Sequence, residues 1–414
     1  MSFWDKLLDG VEVEWKALGD VGGFIRGKRF VKTDMISEGV PCIHYGEMYT
    51  HYGIWADESK SFVDEALAAK LRVANFGDVV IVAAGETIED IGNGTAWLGE
   101  NDVVIHDACF SYKSDLDPKY VSYFLRTNTF KEQIKKSISS GKISAINANG
   151  LSKAEIPIPC PENPQKSLEI QTEIVRILDA FTSMTAELAT ELSTRKKQYN
   201  YYRDQLLSFE EDEVEWKTLI EACDYVDYRG KTPTKTQDGI FLVTARNIRM
   251  GYIDYEVSQE FIAENDYASV MRRGFPKLGD VLITTEAPCG FVAQVDRENI
   301  ALAQRVIKYR SKDKRLSNSF LKHYLLGSQF QKKLQLTATG STVKGIKGSK
   351  LHQLTIPIPS KEKQERIVTI LDKFDALTNS ITEGLPREIE LRQKQYEYYR
   401  DLLFSFPKKE EVDG

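Results

Sequence analysis

Four short runs in the second half of the 414-residue chain carry side chains that could do recognition chemistry. RGKTPTK at 229–235 is basic, stiffened by Gly and Pro, and rich in hydroxyls; its candidates are Arg229, Lys231, Thr232 and Lys235. TARNIR at 244–249 offers Thr244, Arg246, Asn247 and Arg249. Arginine matches the paired acceptors of guanine, and asparagine the donor and acceptor of adenine. TTEAPCG at 284–290 supplies Thr285 and Glu286, whose carboxylate suits the cytosine amino group. GSTVKGIKGSK at 340–350 places Lys344, Lys347 and Lys350 among glycines, which let a backbone approach a phosphate closely. In the first half the counterparts by position are FIRGKRFVK at 24–32, with Arg26, Lys28, Arg29 and Lys32, and KKSISSGKISAIN at 135–147, with Lys135 and Lys142. Tyr45, Tyr49 and Tyr52 are read as core aromatics rather than base-stacking rings.

This is chemistry of binding, not of bond making. No [DNS]PP[YF] string is present, the motif with which adenine methyltransferases hold an extruded base. No GxGxxG occurs, and Gly230-Lys231-Thr232 lacks the upstream glycine of a phosphate-binding loop, since position 225 is Tyr225. The five histidines and five cysteines show no metal spacing. The expectation is a chain with no catalytic residue, no metal and no cofactor of its own.

The formal net charge of −6 opposes a polyanionic partner, yet its distribution matters more. Between residues 220 and 360 there are 21 Lys and Arg against 14 Asp and Glu; between 15 and 155 there are 16 against 19. The second block can hold phosphates alone, while the first implies help from a partner. No 18-residue apolar stretch or signal-peptide core is visible, so a cytoplasmic protein without membrane contact is expected.

The elements that must position these runs are written twice. KQYNYYRDQLLSF at 197–209 recurs as KQYEYYRDLLFSF at 394–406, IPIP at 156–159 recurs at 356–359, and VEWK at 13–16 recurs at 214–217. FGDVVI at 76–81 pairs with LGDVLI at 278–283. The repeat is cyclic, since DKLL at 5–8 echoes DQLL at 204–207. A pseudo-twofold, mixed α/β (α+β) molecule is predicted, with globular blocks at 1–156 and 212–356 and helical segments at 157–211 and 357–414. Residues 79–83 and 281–285 read as buried strands, and 120–138 and 318–336 as amphipathic helices. IPIP ends each block, because alternate prolines exclude helix.

Each helical segment shows an apolar stripe at steps of three and four. The first includes Ile174, Phe181, Leu188, Leu192, Tyr199 and Tyr202; the second includes Phe374, Leu377, Ile381, Tyr396 and Tyr399. Such a stripe is a coiled-coil seam that needs a partner helix, and the twofold relation predicts an antiparallel pair. Gly384 and Pro386 predict a break in the second helix.

Two differing blocks separated by two similar helical segments resemble the specificity subunit of type I restriction–modification systems, the type IC class above all. The likeness is carried by TAELATELSTRKKQYNYYRDQLLSF at 185–209 and TEGLPREIELRQKQYEYYRDLLFSF at 382–406. It implies that each block reads one half of a bipartite, asymmetric site in double-stranded DNA. It implies that the helices set the distance between the half-sites and dock two methyltransferase subunits, which carry S-adenosylmethionine. Up to two restriction subunits, using ATP and Mg, can join. Readers centred about 35–40 Å apart would span roughly 10–12 base pairs at about 3.4 Å each, and half-sites of about 3–4 base pairs would then leave an unread spacer of about 6–8.

Overall fold

The computed structural model describes residues 11–228, 233–340, 343–380 and 383–406. The DKLL echo, Arg229, Lys231, Thr232 and Ile381 lie outside them. The chain packs as two compact units, Met1–Ala186 with Glu390–Gly414, and Glu187–Ile389. Both mix helix with sheet. Among the described residues no helix is long and apolar enough to cross a membrane.

In each unit the repeated VEWK and IPIP segments are partners. Val13–Ala17 pairs antiparallel with Glu155–Pro159, setting Trp15 opposite Pro157 and Lys16 opposite Ile156. In the second unit Trp216 lies opposite Pro357 and Lys217 opposite Ile356. Antiparallel pairs alternate between hydrogen-bonded and unbonded positions. The Cys160 amide donates to the Glu12 carbonyl at 2.8 Å, so that pair is bonded. Stepping inward by one residue puts Pro159 and Pro157 at unbonded positions, where a missing N–H costs nothing. The period of two in IPIP is thus the signature of a strand that donates only through its isoleucines.

Behind this clasp each unit builds a sheet around a strand whose first four residues are buried. In the first unit Val79–Val82 lies between Cys109–Ser114 and Gly94–Trp97, with Gly22–Arg26 and Trp55–Ala56 at the edges. In the second, Val281–Thr285 lies between Val306–Ser311 and Cys289–Gln294. The Gly-Asp motif explains the start of both central strands. Gly77 and Gly279 adopt φ of +88° and +81°, a conformation that favours glycine. The following aspartates are buried and close the turn, Asp78 accepting from the Asn75 amide at 2.9 Å and Asp280 from the Lys277 amide at 2.9 Å. Asp78 also accepts from the Ser111 hydroxyl, whereas Asp280 holds both nitrogens of the Arg310 fork.

A smaller sheet in each unit contains a parallel pair, Val40–Ile43 with Val103–Ile105, and Ile240–Val243 with Ile300–Leu302. These strands align at offsets near 200 residues, so the duplication extends through blocks whose sequences have diverged.

The predicted helices at 120–138 and 318–336 are each broken in two. The first becomes α1 (Pro118–Phe124) and α2 (Asn128–Ile134), because the Thr127 hydroxyl turns back to accept the Phe130 amide at 3.2 Å. The second becomes α4 (Asn318–Leu326) and α5 (Ser328–Thr337), separated by Gly327. Between them in the chain runs α3 (Pro164–Leu206), a single helix of 43 residues. The second long segment is interrupted as predicted: α6 (Lys361–Asn379) stops, and α7 (Gly384–Leu403) begins at Gly384 with φ +76°.

The long helices are bolted to the globular blocks by polar contacts at both ends. Gln171, fully buried on α3, accepts the Asp117 amide at 2.9 Å; Gln364, 1% exposed on α6, accepts the Ser317 amide at 2.9 Å. Asp401 accepts from Asn128 at the start of α2, and Asp204 from the Ser328 amide at the start of α5. Carboxylates at helix N-termini satisfy orphan amides and meet the positive end of the helix dipole.

Apolar packing follows the seam at its ends. In the first unit Ile174 is fully buried, Tyr396 is 7% exposed, and Phe181 stacks on Tyr399 with centroids 5.3 Å apart. In the second unit Tyr199 is buried, and Tyr199 and Tyr202 both stack on Phe374 at 6.0 and 5.8 Å. Leu188 and Leu192 are half-buried, and Leu377 is exposed.

Candidate nucleic-acid interface

In each unit the basic, glycine-containing run docks on the loop that follows the central strand. After the central strand of the second unit, the 285–287 loop is gripped by a hairpin. Thr339 and Gly345 exchange two backbone hydrogen bonds at 2.8 and 2.9 Å, and the Ile346 amide donates to the Thr285 carbonyl at 2.9 Å. In the first unit Ser139 and Ala145 exchange the same pair at 2.9 and 3.1 Å, and the Ile146 amide donates to the Ala83 carbonyl at 2.9 Å. The two basic, glycine-containing runs are therefore one structural device used twice. Each tip exposes an aliphatic side chain, Ile143 at 61% and Val343 at 52%.

The loop beginning at residue 44 in the first unit and 244 in the second is also the same device. The His44 amide donates to the Glu47 carboxylate at 3.0 Å, and the Gly46 amide donates to His44 Nδ1 at 3.2 Å. The Thr244 amide donates to Asn247 Oδ1 at 2.9 Å, and the Arg246 amide to the Thr244 hydroxyl at 3.3 Å. His44 opens a short helix with a capping box, and Thr244 opens a turn in which residue i+3 likewise reaches back to residue i.

This corrects the reading of Asn247. Its side chain is fully buried, and its NH2 group donates to the carbonyls of Asp254 and Ser258, both at 2.9 Å. Every polar atom is used in holding the loop, so none remains to meet a base edge. Thr244 is committed to the same cap. Arg246, by contrast, projects from the loop and is exposed. The T-x-x-N spacing of TARN was the signal for the cap.

The side chains mounted on these shared devices differ. In the first unit they enclose a cavity of about 410 Å³, lined by Phe30, His44, Tyr45 and His106 with Arg29 and Lys32 at its rim. The rings meet closely: His44 to His106 is 4.7 Å between centroids, Tyr45 to His106 is 5.0 Å, and Phe30 to His106 is 5.3 Å. Burial lowers the pKa of both histidines below the ordinary value. Each Nδ1 already accepts a backbone amide, Gly46 for His44 and Ala108 for His106. Both effects favour the uncharged ring, while Asp107 Oδ1, 3.0 Å from His106 Nδ1, acts in the opposite direction. Of the three tyrosines, Tyr52 is 7% exposed, Tyr49 donates its hydroxyl to the Ala84 carbonyl, and Tyr45 alone lines the cavity.

In the second unit the corresponding surface is charged. Glu286 faces Gly345 of the hairpin across a backbone bridge and pairs with Arg305, Nε to Oε2 at 3.4 Å. Both side chains are about half exposed. Arg305 was missed from sequence because it stands alone in the chain, next to no motif; its φ of +72° turns it out of the strand that follows. Thr285 is half-buried, its hydroxyl donating to the Arg305 carbonyl at 3.3 Å.

The remaining cations divide into two groups. Lys235 pairs with Glu260 at 2.8 Å, Arg249 lies 3.6 Å from Asp254, and Lys135 lies 3.1 Å from Glu132. Arg26 donates to the Asp107 carbonyl and Lys28 to the Lys70 carbonyl. These five help to hold their own domain. Arg29, Lys32, Lys142, Lys344, Lys347 and Lys350 are exposed, with Lys142 and Lys344 flanking the hairpin tips.

A duplicated scaffold with divergent loops is the organisation of a known family. The model for the type I restriction modification DNA specificity domain matches residues 10–195 and again 213–391. The chain belongs to that family. The specificity subunit of the Escherichia coli type I restriction enzyme EcoR124I/EcoR124II is 38% identical over all of this chain and 99% of that one. A putative type I specificity subunit of Haemophilus influenzae, S.HindORF215P, is 32% identical over 98% of both chains. The type I S subunit of M. genitalium shares the fold, with a TM-score of 0.52 at 15% identity over 97% of this chain and 98% of that one. A chain from a structure of type I R-M complex assembly and conformational transition gives 0.63 at 15% identity, covering 95% and 97%. The two specificity domains are thus the two family repeats, and the devices they share within this chain are the clasp, the capped loop and the docked hairpin.

The cap assignment has a direct consequence. Asn247→Ala is expected to destabilise the second domain by about 1–3 kcal/mol, because it orphans buried partners. Arg246→Ala is expected to change stability by less than about 0.5 kcal/mol, as for an exposed surface residue. Urea denaturation of both variants measures this.

Proposed function

We propose that this chain is the sequence-reading subunit of a type I restriction–modification complex and that it catalyses nothing alone. Each globular domain reads one half of a bipartite, asymmetric site in double-stranded DNA. The observation that carries this reading is one scaffold present twice, bearing different side chains at the same place. Shared caps and hairpins give two readers the same approach to a duplex. An aromatic, imidazole-lined cavity in one, and an exposed Glu–Arg pair in the other, give them different targets.

The division of cations supports a division of labour. Phosphate contacts set position and base contacts set sequence. Lys344, Lys347 and Lys350, with Arg29, Lys32 and Lys142, are the phosphate contacts of this reading. Arg246, Arg305 and Glu286 are the base-reading candidates of the second domain. The long helices dock two methyltransferase subunits, which bring S-adenosylmethionine; restriction subunits bring ATP and Mg.

Two measurements test this. Incubated with S-adenosylmethionine and DNA, the purified chain is expected to transfer no methyl group, and addition of the methyltransferase subunit is expected to start transfer. Methyl transfer by the chain alone would contradict the reading. In binding assays Lys344→Ala should weaken binding to all sequences and reduce the salt slope by about one. Arg246→Ala should instead cost about 1–3 kcal/mol of discrimination between cognate and altered sites. Wild-type affinity and salt dependence in both variants would remove these residues from the interface.

A further inference from the structure

The repeated helical motif KQY-x-YYRD contains one residue that folding does not explain. Tyr199 and Tyr396 are buried, 5% and 7% exposed. Arg203 and Arg400 lie over those rings, 5.4 and 5.6 Å from the centroids. Asp204 and Asp401 hold the starts of α5 and α2. Tyr202 and Tyr399 stack on Phe374 and Phe181.

Tyr201 and Tyr398 remain. They are 63% and 65% exposed. Among the described residues each ring meets the edge of its neighbour in the motif, at centroid distances of 5.4 and 5.3 Å and an interplanar angle of 75° in both. A lysine stands one turn before each, Lys197 and Lys394, both exposed. Isolated surface aromatics are ordinary. Two at equivalent positions and in the same ring geometry form one aromatic contact made twice, although Lys394 is paired with Glu390 at 2.6 Å whereas Ser193 stands at the corresponding position before Lys197.

A surface made twice fits one kind of occupant in two copies. DNA does not meet that condition here, because the loops that face it differ between the domains while these two rings keep one geometry. We infer that Tyr201 and Tyr398 are anchor residues, each for one copy of the same protein partner, the adenine methyltransferase subunit. Tyrosine held in one rotamer delivers a large amphipathic contact at little entropic cost. The complementary partner surface is an apolar slot with an acceptor for the phenol. This inference rests on the reading of the chain as a subunit that docks methyltransferases.

The test is titration of the full chain with the methyltransferase subunit of the same system, followed by sedimentation and calorimetry. The wild-type chain is expected to take two copies. Tyr201→Ala and Tyr398→Ala should each weaken one of two sites at least about tenfold, and the double variant both. Tyr→Phe at both positions should retain most of the affinity, and melting temperatures should stay at the wild-type value. Wild-type affinity in the double variant would overturn the anchor assignment and leave the functional reading intact. A fall in melting temperature would overturn it by assigning these rings to folding. Loss of self-association in the double variant, with methyltransferase binding unchanged, would assign the patch to a second copy of this chain instead. A wild-type chain that binds no methyltransferase subunit would overturn both readings.

Discussion

The interaction on which everything else depends is the two-stranded clasp that closes each globular block. VEWK opens the block, IPIP ends it, and their pairing brings entry and exit side by side. The pairing is specific because proline removes a donor. Only a register that leaves Pro157 and Pro159 at unbonded positions avoids an orphaned carbonyl opposite, and a slip by one residue would place both where a donor is needed. The indole of each clasp then packs edge-on against a ring of the following helix, Trp15 on Phe124 and Trp216 on Tyr324. A block whose ends are tied together can change its interior without disturbing what lies outside it.

That freedom is visible in which residues match and which do not. Positions that satisfy backbone groups recur in chemistry if not always in identity. Glu47 and Asn247 both reach back to an amide three residues earlier; Gln171 and Gln364 both accept an amide ahead of a helix. Unpaired buried donors are costly, so these roles are kept. Positions on the loop surface carry no such penalty. There the first domain places Tyr45, Arg29 and Lys32, and the second places Glu286 and Arg305. Diversity is confined to side chains that no amide depends on, which is what a family of readers with different targets requires.

Much of this arrangement could be read from the residues because it was written twice. The central strand Val281–Thr285 has the limits expected of it, and the break at Gly384 falls where glycine and proline announced it. What escaped had local causes. The amphipathic runs at 120–138 and 318–336 keep their apolar period across a chain reversal, so periodicity alone could not show Thr127 or Gly327 ending a helix. Asn247 looked like a base reader because the residue type suits both roles, and only its burial separates them. Arg305 reaches Glu286 through tertiary structure, with no sequence neighbour to mark it. Tyr201 was hidden inside a motif whose other members are structural.

The central claim is that each clasped block is an independent reader. The measurement that tests it most directly is methylation mapping after residues 214–356 are exchanged for the same block of a relative with a different target. The account predicts methylated sites in which one half changes, the other half keeps its sequence, and the distance between them is unchanged. Alteration of both half-sites by that single exchange would contradict it.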